Sequence, residues 1–250
     1  MQSRRLLTLF FSLTLAILGW YLLVWLGEFP AFILPTPDRV AVRFWQALHN
    51  GSLLRNSAIT LQEVLVGLAL GVSTSTALGY LLAKSRPLER LLTPFIVASQ
   101  SIPTVAIAPL LMIWFKTGML AKTLICAMIV FFPVLINTIV GMRAVPDRLR
   151  ELMRSLCATR WQTFRLLEVP ATLPVFLGGL RIGATLSVIG AVVGEFIAPN
   201  RGLGMLINTA RGQYDTAMVF ALIFTLVAMA LSLYGLVVLL EARLLRWREK

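Results

Sequence analysis

The sequence is poor in charge, acid, histidine and cysteine, and each shortage closes off a class of function. Only 14% of its 250 residues are charged, against roughly 25% in an ordinary soluble domain, so a water-exposed globule cannot be built from it. A single histidine, His49, and two distant cysteines, Cys126 and Cys157, provide no metal-ligand spacing and no catalytic set. No Gly-x-x-x-x-Gly-Lys-Ser/Thr segment occurs, so the chain has no phosphate-cradling loop for ATP. The acids number 11, and Glu63 and Glu195 fall near the ends of apolar runs. That placement weighs against a proton-coupled carrier, which buries its acids deep within spans.

What the chain has in excess is apolar surface: 58% of it is hydrophobic and its mean hydropathy is +0.84. Charges and Gly/Pro clusters divide this surface into six runs at about residues 6–27, 60–83, 91–115, 120–142, 175–198 and 217–240. Each is near the roughly 20 residues that a helix needs to cross a hydrocarbon core. The expected fold is all-α, one polytopic membrane domain over residues 1–250 with about six transmembrane helices. The first run is longer than the core of a cleaved signal peptide and lacks a small-residue cleavage site, so it reads as a span.

The net charge of +12 lies beside the apolar runs, as membrane anchoring requires, and not in a patch suited to nucleic acid. With the N-terminus inside, the inner loops collect Arg4, Arg5, Lys84, Arg86, Arg90, every arginine from Arg143 to Arg165, and the basic tail from Arg243 to Lys250. The outer side keeps fewer: Arg39, Arg43, Arg55, Lys116, Lys122, Arg201 and Arg211. Both termini are therefore expected in the cytoplasm.

Between the first two runs, Leu34-Pro35-Thr36-Pro37 breaks the chain, and Val40, Phe44 and Leu48 then share one helical face. This predicts a helix lying along the outer membrane surface. Small residues recur every fourth position in two runs, at Gly67, Gly71, Ser75 and Gly79 and at Gly179, Gly183, Ser187 and Ala191. Such stripes let helix backbones approach closely in lipid, either within a bundle or at a moving or subunit-facing surface. The third run carries Pro94, Pro103 and Pro109 around Ser99-Gln100-Ser101, and Pro133 precedes Asn137 in the fourth. Polar groups and freed carbonyls at that depth must face protein or a water-filled cavity. Ser99, Gln100, Ser101, Asn137 and Glu195 are accordingly candidates for a translocation pathway, with an interhelical hydrogen bond as the competing reading.

The inner loop 143–174 far exceeds the roughly 2–8 residues that join helices in a bundle. Asp147 can cap a helix running through Leu156, and residues 161–167 can form a second short helix before Pro170. A basic, aromatic helix exposed there invites a protein partner.

From Glu151 to Pro174 the chain reads ELMRSLCATRWQTFRLLEVPATLP, which resembles the E-A-A loop of binding-protein-dependent ATP-binding cassette permeases. Glu151 matches the acid of that pattern, Ala158 the small residue after its glycine, and Leu173-Pro174 or Val169-Pro170 its closing pair. The family's glycine falls on Cys157, a departure that bears on the tight turn between the two loop helices. In order along the chain, Leu34-Pro35-Thr36-Pro37, Ile102-Pro103, Ala108-Pro109-Leu110, Phe132-Pro133, Gly194-Glu195 and Arg201-Gly202-Leu203-Gly204 resemble the nitrate, sulfonate, taurine and vitamin-precursor branch.

The resemblance implies the type I importer permease fold in a bacterial cytoplasmic membrane, with no catalysis and no cofactor on this chain. It implies as partners a second permease copy, expected as a homodimer, two ATPase subunits that use ATP and Mg, and an extracytoplasmic solute-binding protein. Arg160, Trp161, Phe164 and Arg165 would touch the ATPase, and Glu151 would hold the shape of a loop that also contains Ser155, Cys157, Ala158, Pro170 and Pro174. Residues 106–115 are most similar to permeases for vitamins or their precursors, so riboflavin or a thiamine-related pyrimidine is the expected solute. Nitrate, taurine or an alkanesulfonate is the alternative, and a proton-coupled carrier is the more distant one.

Overall fold

The computed structural model describes residues 2–116 and 118–246. The side chains of Arg4 and Arg5, and Arg248 and Lys250, all read above as inner anchors, lie outside the described residues. The helices are α1 (Gln2–Gly27), α2 (Pro37–His49), α3 (Ser52–Lys84), α4 (Arg86–Gln100), α5 (Thr104–Phe115), α6 (Met119–Arg143), α7 (Asp147–Ser155), α8 (Arg160–Thr163), α9 (Val169–Ile197), α10 (Leu203–Gly212) and α11 (Thr216–Leu244). Four helical stretches are long and apolar enough to cross a bilayer: α3, α6, the continuous run Arg160–Ile197, and α11. The expected first span falls on α1, whose Thr14–Gly27 stretch is apolar.

The core is α6 clasped between α3 and α9. A Cβ added at Gly67 would sit 2.2 Å from the Cβ of Cys126, and one at Gly71 would sit 2.8 Å from the carbonyl of Ala127. From the other side, a Cβ at Gly179 would meet Asn137 at 2.6 Å, and one at Gly190 would meet the Cα of Cys126 at 2.8 Å. Both small-residue stripes therefore press backbone against backbone inside one chain, which resolves their two readings in favour of packing within the bundle. The Cys126 thiol donates to the Ser187 carbonyl at 3.3 Å across the α6–α9 contact. Val64, Ala184, Val188 and Ala191 close around it.

The expected third span is not one straight helix. It is α4 and α5, bent by 93° at Ser101–Pro103. Proline bars the preceding residue from helical geometry and supplies no N–H, so α4 must stop ahead of Pro103. The Ser99 and Ser101 hydroxyls donate back to Ile96 and Val97, and the Ser101 and Ile102 amides close a last tight turn. Helix α2 also differs from a helix lying free on the membrane. Its Val40 and Ala47 are buried, and it docks against α11 and α3.

In the inner loop, α7 begins at Asp147 itself, with Pro146 in the capping place. It ends in a paired turn: the Cys157 amide donates to the Arg154 carbonyl at 2.9 Å and the Ala158 amide to Met153 at 3.0 Å. This is the Schellman arrangement, which needs a left-handed residue in the place Cys157 occupies. Cys157 supplies it at φ 50°, so the turn survives the replacement of the family glycine. The second loop helix is not separate. α8, opened by Thr159 and Gln162 in a reciprocal capping box, continues through a π-turn at Phe164–Glu168 straight into α9. Pro170 and Pro174 are both carried inside this continuous run, next to the π-turn that departs from regular helix.

Two outcomes are expected. Gly67→Ala forces a Cβ into Cys126 and lowers stability by about 1–3 kcal/mol, read as a lower unfolding temperature in detergent, whereas Gly235→Ala, with open space around it, leaves it unchanged. Cys157→Gly relieves about 1–2 kcal/mol of left-handed strain and slows hydrogen exchange at the Ala158 amide; faster exchange there contradicts the turn assignment.

Candidate functional site

Helix α7 and its C-cap residue present Leu149, Leu152 and Leu156 outward, the last 67% exposed. The spacings of three and four put them on one face of the helix. Arg150, on another face, reaches back to the core: its guanidinium donates to the Met142 carbonyl at 2.7 Å and pairs with Asp147 at 3.6 Å. This arginine, and not Glu151, ties the loop to the end of α6. The Glu151 carboxylate is exposed and has no side-chain partner among the described residues, although its backbone carbonyl accepts from Ser155. Sequence reasoning missed Arg150 because nothing local distinguishes it from the arginines around it.

The four residues expected to meet a partner divide. Phe164 turns inward, stacked on Trp161 at 5.5 Å and edge-on to Tyr80 of α3 at 5.4 Å. Trp161 is 66% exposed, and Arg160 and Arg165 are also exposed. Ala158 is half-buried beneath the turn. Lys84 at the end of α3 pairs with the buried Glu168 of the π-turn, Arg143 with Glu89, and Arg181 with Glu241. These pairs bind α3 to the π-turn, α6 to α4 and α9 to α11. Each joins residues far apart in the chain, so none is visible as a local pattern.

The pathway candidates also separate. Ser99, Gln100 and Ser101 are exposed at the α4–α5 bend. Asn137 donates to the Pro133 carbonyl at 2.8 Å and packs on Gly179, which places it at the α6–α9 contact. Glu195 is fully buried in a polar network at the end of the bundle opposite α7. Its carboxylate accepts from the Thr60 hydroxyl at 2.6 Å and from the Gly204 amide at 2.5 Å. Thr60 in turn accepts from the Leu203 amide at 2.9 Å, and Asn56 accepts from the Gly202 amide at 2.9 Å.

Three successive amides at the start of α10 are thus satisfied by side chains of α3 and α9. A helix N-terminus otherwise leaves such donors unpaired, and it favours a carboxylate. Lys122 of α6 completes the network, pairing with Glu63 at 3.1 Å and donating to the Arg201 carbonyl at 3.0 Å, with both charged side chains 3% exposed. Lys122, counted above among the basic residues of the outer side, is consumed inside the bundle. Gly202, at φ 108°, is required here, since a Cβ would fall 1.8 Å from the Glu195 carboxylate. No group of His, Cys, Asp or Glu suited to a metal occurs among the described residues.

The chain resembles known proteins in both sequence and fold. The family described as binding-protein-dependent transport system inner membrane component matches residues 71–246. A riboflavin transport system permease protein of Chloroflexus aurantiacus is 47% identical, covering 94% of this chain and 88% of its own length. A formylaminopyrimidine transport permease protein of Halalkalibacterium halodurans is 36% identical, over 88% of this chain and 87% of its own. In fold, a chain of the methionine ABC transporter MetNI, solved in inward-facing conformations, aligns with a TM-score of 0.57 at 22% identity, covering 78% of this chain and 95% of that one. This multi-pass membrane protein belongs to the family of inner-membrane components of binding-protein-dependent transport systems, the permease subunits of ATP-binding cassette importers.

Proposed function

We propose that the chain is the permease of an ATP-driven importer of riboflavin, with both termini in the cytoplasm. The observation that carries the coupling is the leucine face of α7. An apolar ridge at positions i, i+3 and i+7 on a short exposed helix is the form that lies in a groove of a protein partner, and Glu151 and Arg154 flank it with charge free to meet that partner. The partner is a cytoplasmic ATPase, since this chain has no nucleotide-binding loop of its own. Two ATPases closing around ATP would pull on two such loops, one from each permease copy. Binding energy shifts the helix bundles between states only through contacts that differ in the two, and α7 is the element that makes them.

A second permease copy is supported by α4 and α5. No residue of α4 is buried, and Leu91, Phe95, Ile113 and Trp114 are largely exposed. A homodimer would cover these faces. An extracytoplasmic binding protein would deliver the solute to the outer end, and ATP and Mg belong to the ATPase. Riboflavin follows from the 47% identical relative, and a formylaminopyrimidine from the second; both are nitrogen heteroaromatics.

Substituting Leu152→Asp together with Leu156→Asp is expected to lower uptake at least about tenfold, as for the central anchors of an interface, and to abolish ATPase co-purification while membrane insertion stays normal. Uptake at the normal rate overturns the coupling assignment. With its ATPase and binding protein in proteoliposomes, the chain is expected to import labelled riboflavin only with ATP, and to do so after the proton gradient is collapsed. Import of the pyrimidine alone would reassign the solute, and uptake without any ATPase would remove the importer reading.

A further inference from the structure

A cavity of about 930 Å³ opens in the inner half of the bundle, between α3, α6 and the start of the long Arg160–Ile197 run. This is within the size range of small-molecule sites. One wall is the aromatic set Tyr80, Trp161 and Phe164, in which the indole and phenyl planes lie within 28° of each other. Phe164 covers one face of the indole, and Trp161 remains two-thirds exposed. Arg160 stands in the same wall, and its guanidinium has no partner among the described residues. Thr76 lines the cavity as well, and its hydroxyl oxygen has no hydrogen-bond partner. Phe164 opens the π-turn at Phe164–Glu168, a local departure from α-helix of a kind that often marks functional sites.

We infer that this cavity is an inner-side solute site for a flat, nitrogen-rich heteroaromatic ring, stacked on Trp161, with Arg160 donating to oxygen acceptors on the ring edge. The inference rests on the reading of the chain as a riboflavin importer and deepens it. A saturated acyl chain gains nothing from a ring slab or an unpaired guanidinium, whereas an isoalloxazine uses both: aromatic planes prefer offset stacking, and carbonyl oxygens accept from a charged donor. Trp161 and Arg160 also belong to the inner loop. Solute in the cavity therefore touches the segment that leads to the ATPase, so departure of the solute is felt directly by the loop.

The test uses the full chain assembled with its ATPase in lipid nanodiscs, without ATP, titrated with riboflavin and read by flavin fluorescence. Stacking on an indole quenches a flavin, so saturable quenching is expected. Trp161→Leu is expected to weaken binding roughly tenfold, the loss of one stacked aromatic contact and its buried area, and to remove most of the quenching. Ala77→Trp, which fills the cavity and leaves the aromatic set intact, is expected to block binding, while Trp25→Leu on the exposed face of α1 changes nothing.

Normal binding by both Trp161→Leu and Ala77→Trp overturns the site. So does a phospholipid that co-purifies with the unaltered protein and is lost only in Ala77→Trp, with flavin binding unaffected. If ATP-driven riboflavin uptake proceeds while these variants bind normally, the site falls and the importer reading stands. If neither uptake nor saturable quenching occurs, both fall together.

Discussion

Everything in this bundle depends on how closely α6 is approached from two sides. In lipid, helices gain nothing by hiding apolar side chains from water, so association must come from packing and hydrogen bonds. Glycine, serine and alanine on α3 and α9 let those helices come into backbone contact with Cys126, Ala127 and Val130 of α6. Once three backbones are locked at that spacing, the polar groups at the two ends of the bundle meet with little freedom. The Glu63–Lys122 pair and the amides of α10 are consequences of that clasp, since their partners come from three different helices.

The two ends are built differently. At the Glu63–Lys122 end the charges are sealed, and removing one partner would leave an uncompensated buried charge, so this end holds its shape. At the end that carries α7 the basic partners Lys84, Arg143 and Arg181 are partly exposed, while Glu168 is buried. The Arg143–Glu89 and Arg181–Glu241 pairs, open on both sides, contribute little stability, whereas the buried Glu168 depends on Lys84. A continuous helical run from Arg160 to Ile197 joins the two ends, carrying Trp161 at the inner end and Glu195 near the outer one. A helix of that length spans roughly 57 Å, so one element reaches from Trp161 to the Glu195 network. The π-turn at Phe164–Glu168 is where that element departs from regular geometry.

Helical class and the presence of apolar spans were legible because they rest on composition and run length, which do not depend on what the helices touch. The inner loop was legible for the same reason, since its length and its Glu151-to-Pro174 pattern are continuous in sequence. The departure at Cys157 was visible too, but whether the turn survived it was not: a left-handed cysteine depends on the amide bonds of Cys157 and Ala158 closing around it. Pro103 was visible as a disturbance, while the 93° bend required knowing where α5 packs, against Ala121, Ile125 and Ala198.

What the chain determined by itself was its solvent: a sequence this apolar and this unevenly basic must lie across a bilayer, because no water-exposed fold can hide it and positive charge is held on one side. What only the tertiary structure decided was the use of its polar residues. Glu195 became a cap for α10, Lys122 became a buried partner, Phe164 turned in and the leucines of α7 turned out. Each of these assignments turns on contacts between residues tens of positions apart or on which face of a helix the bundle covers, and periodicity along the chain carries no record of either.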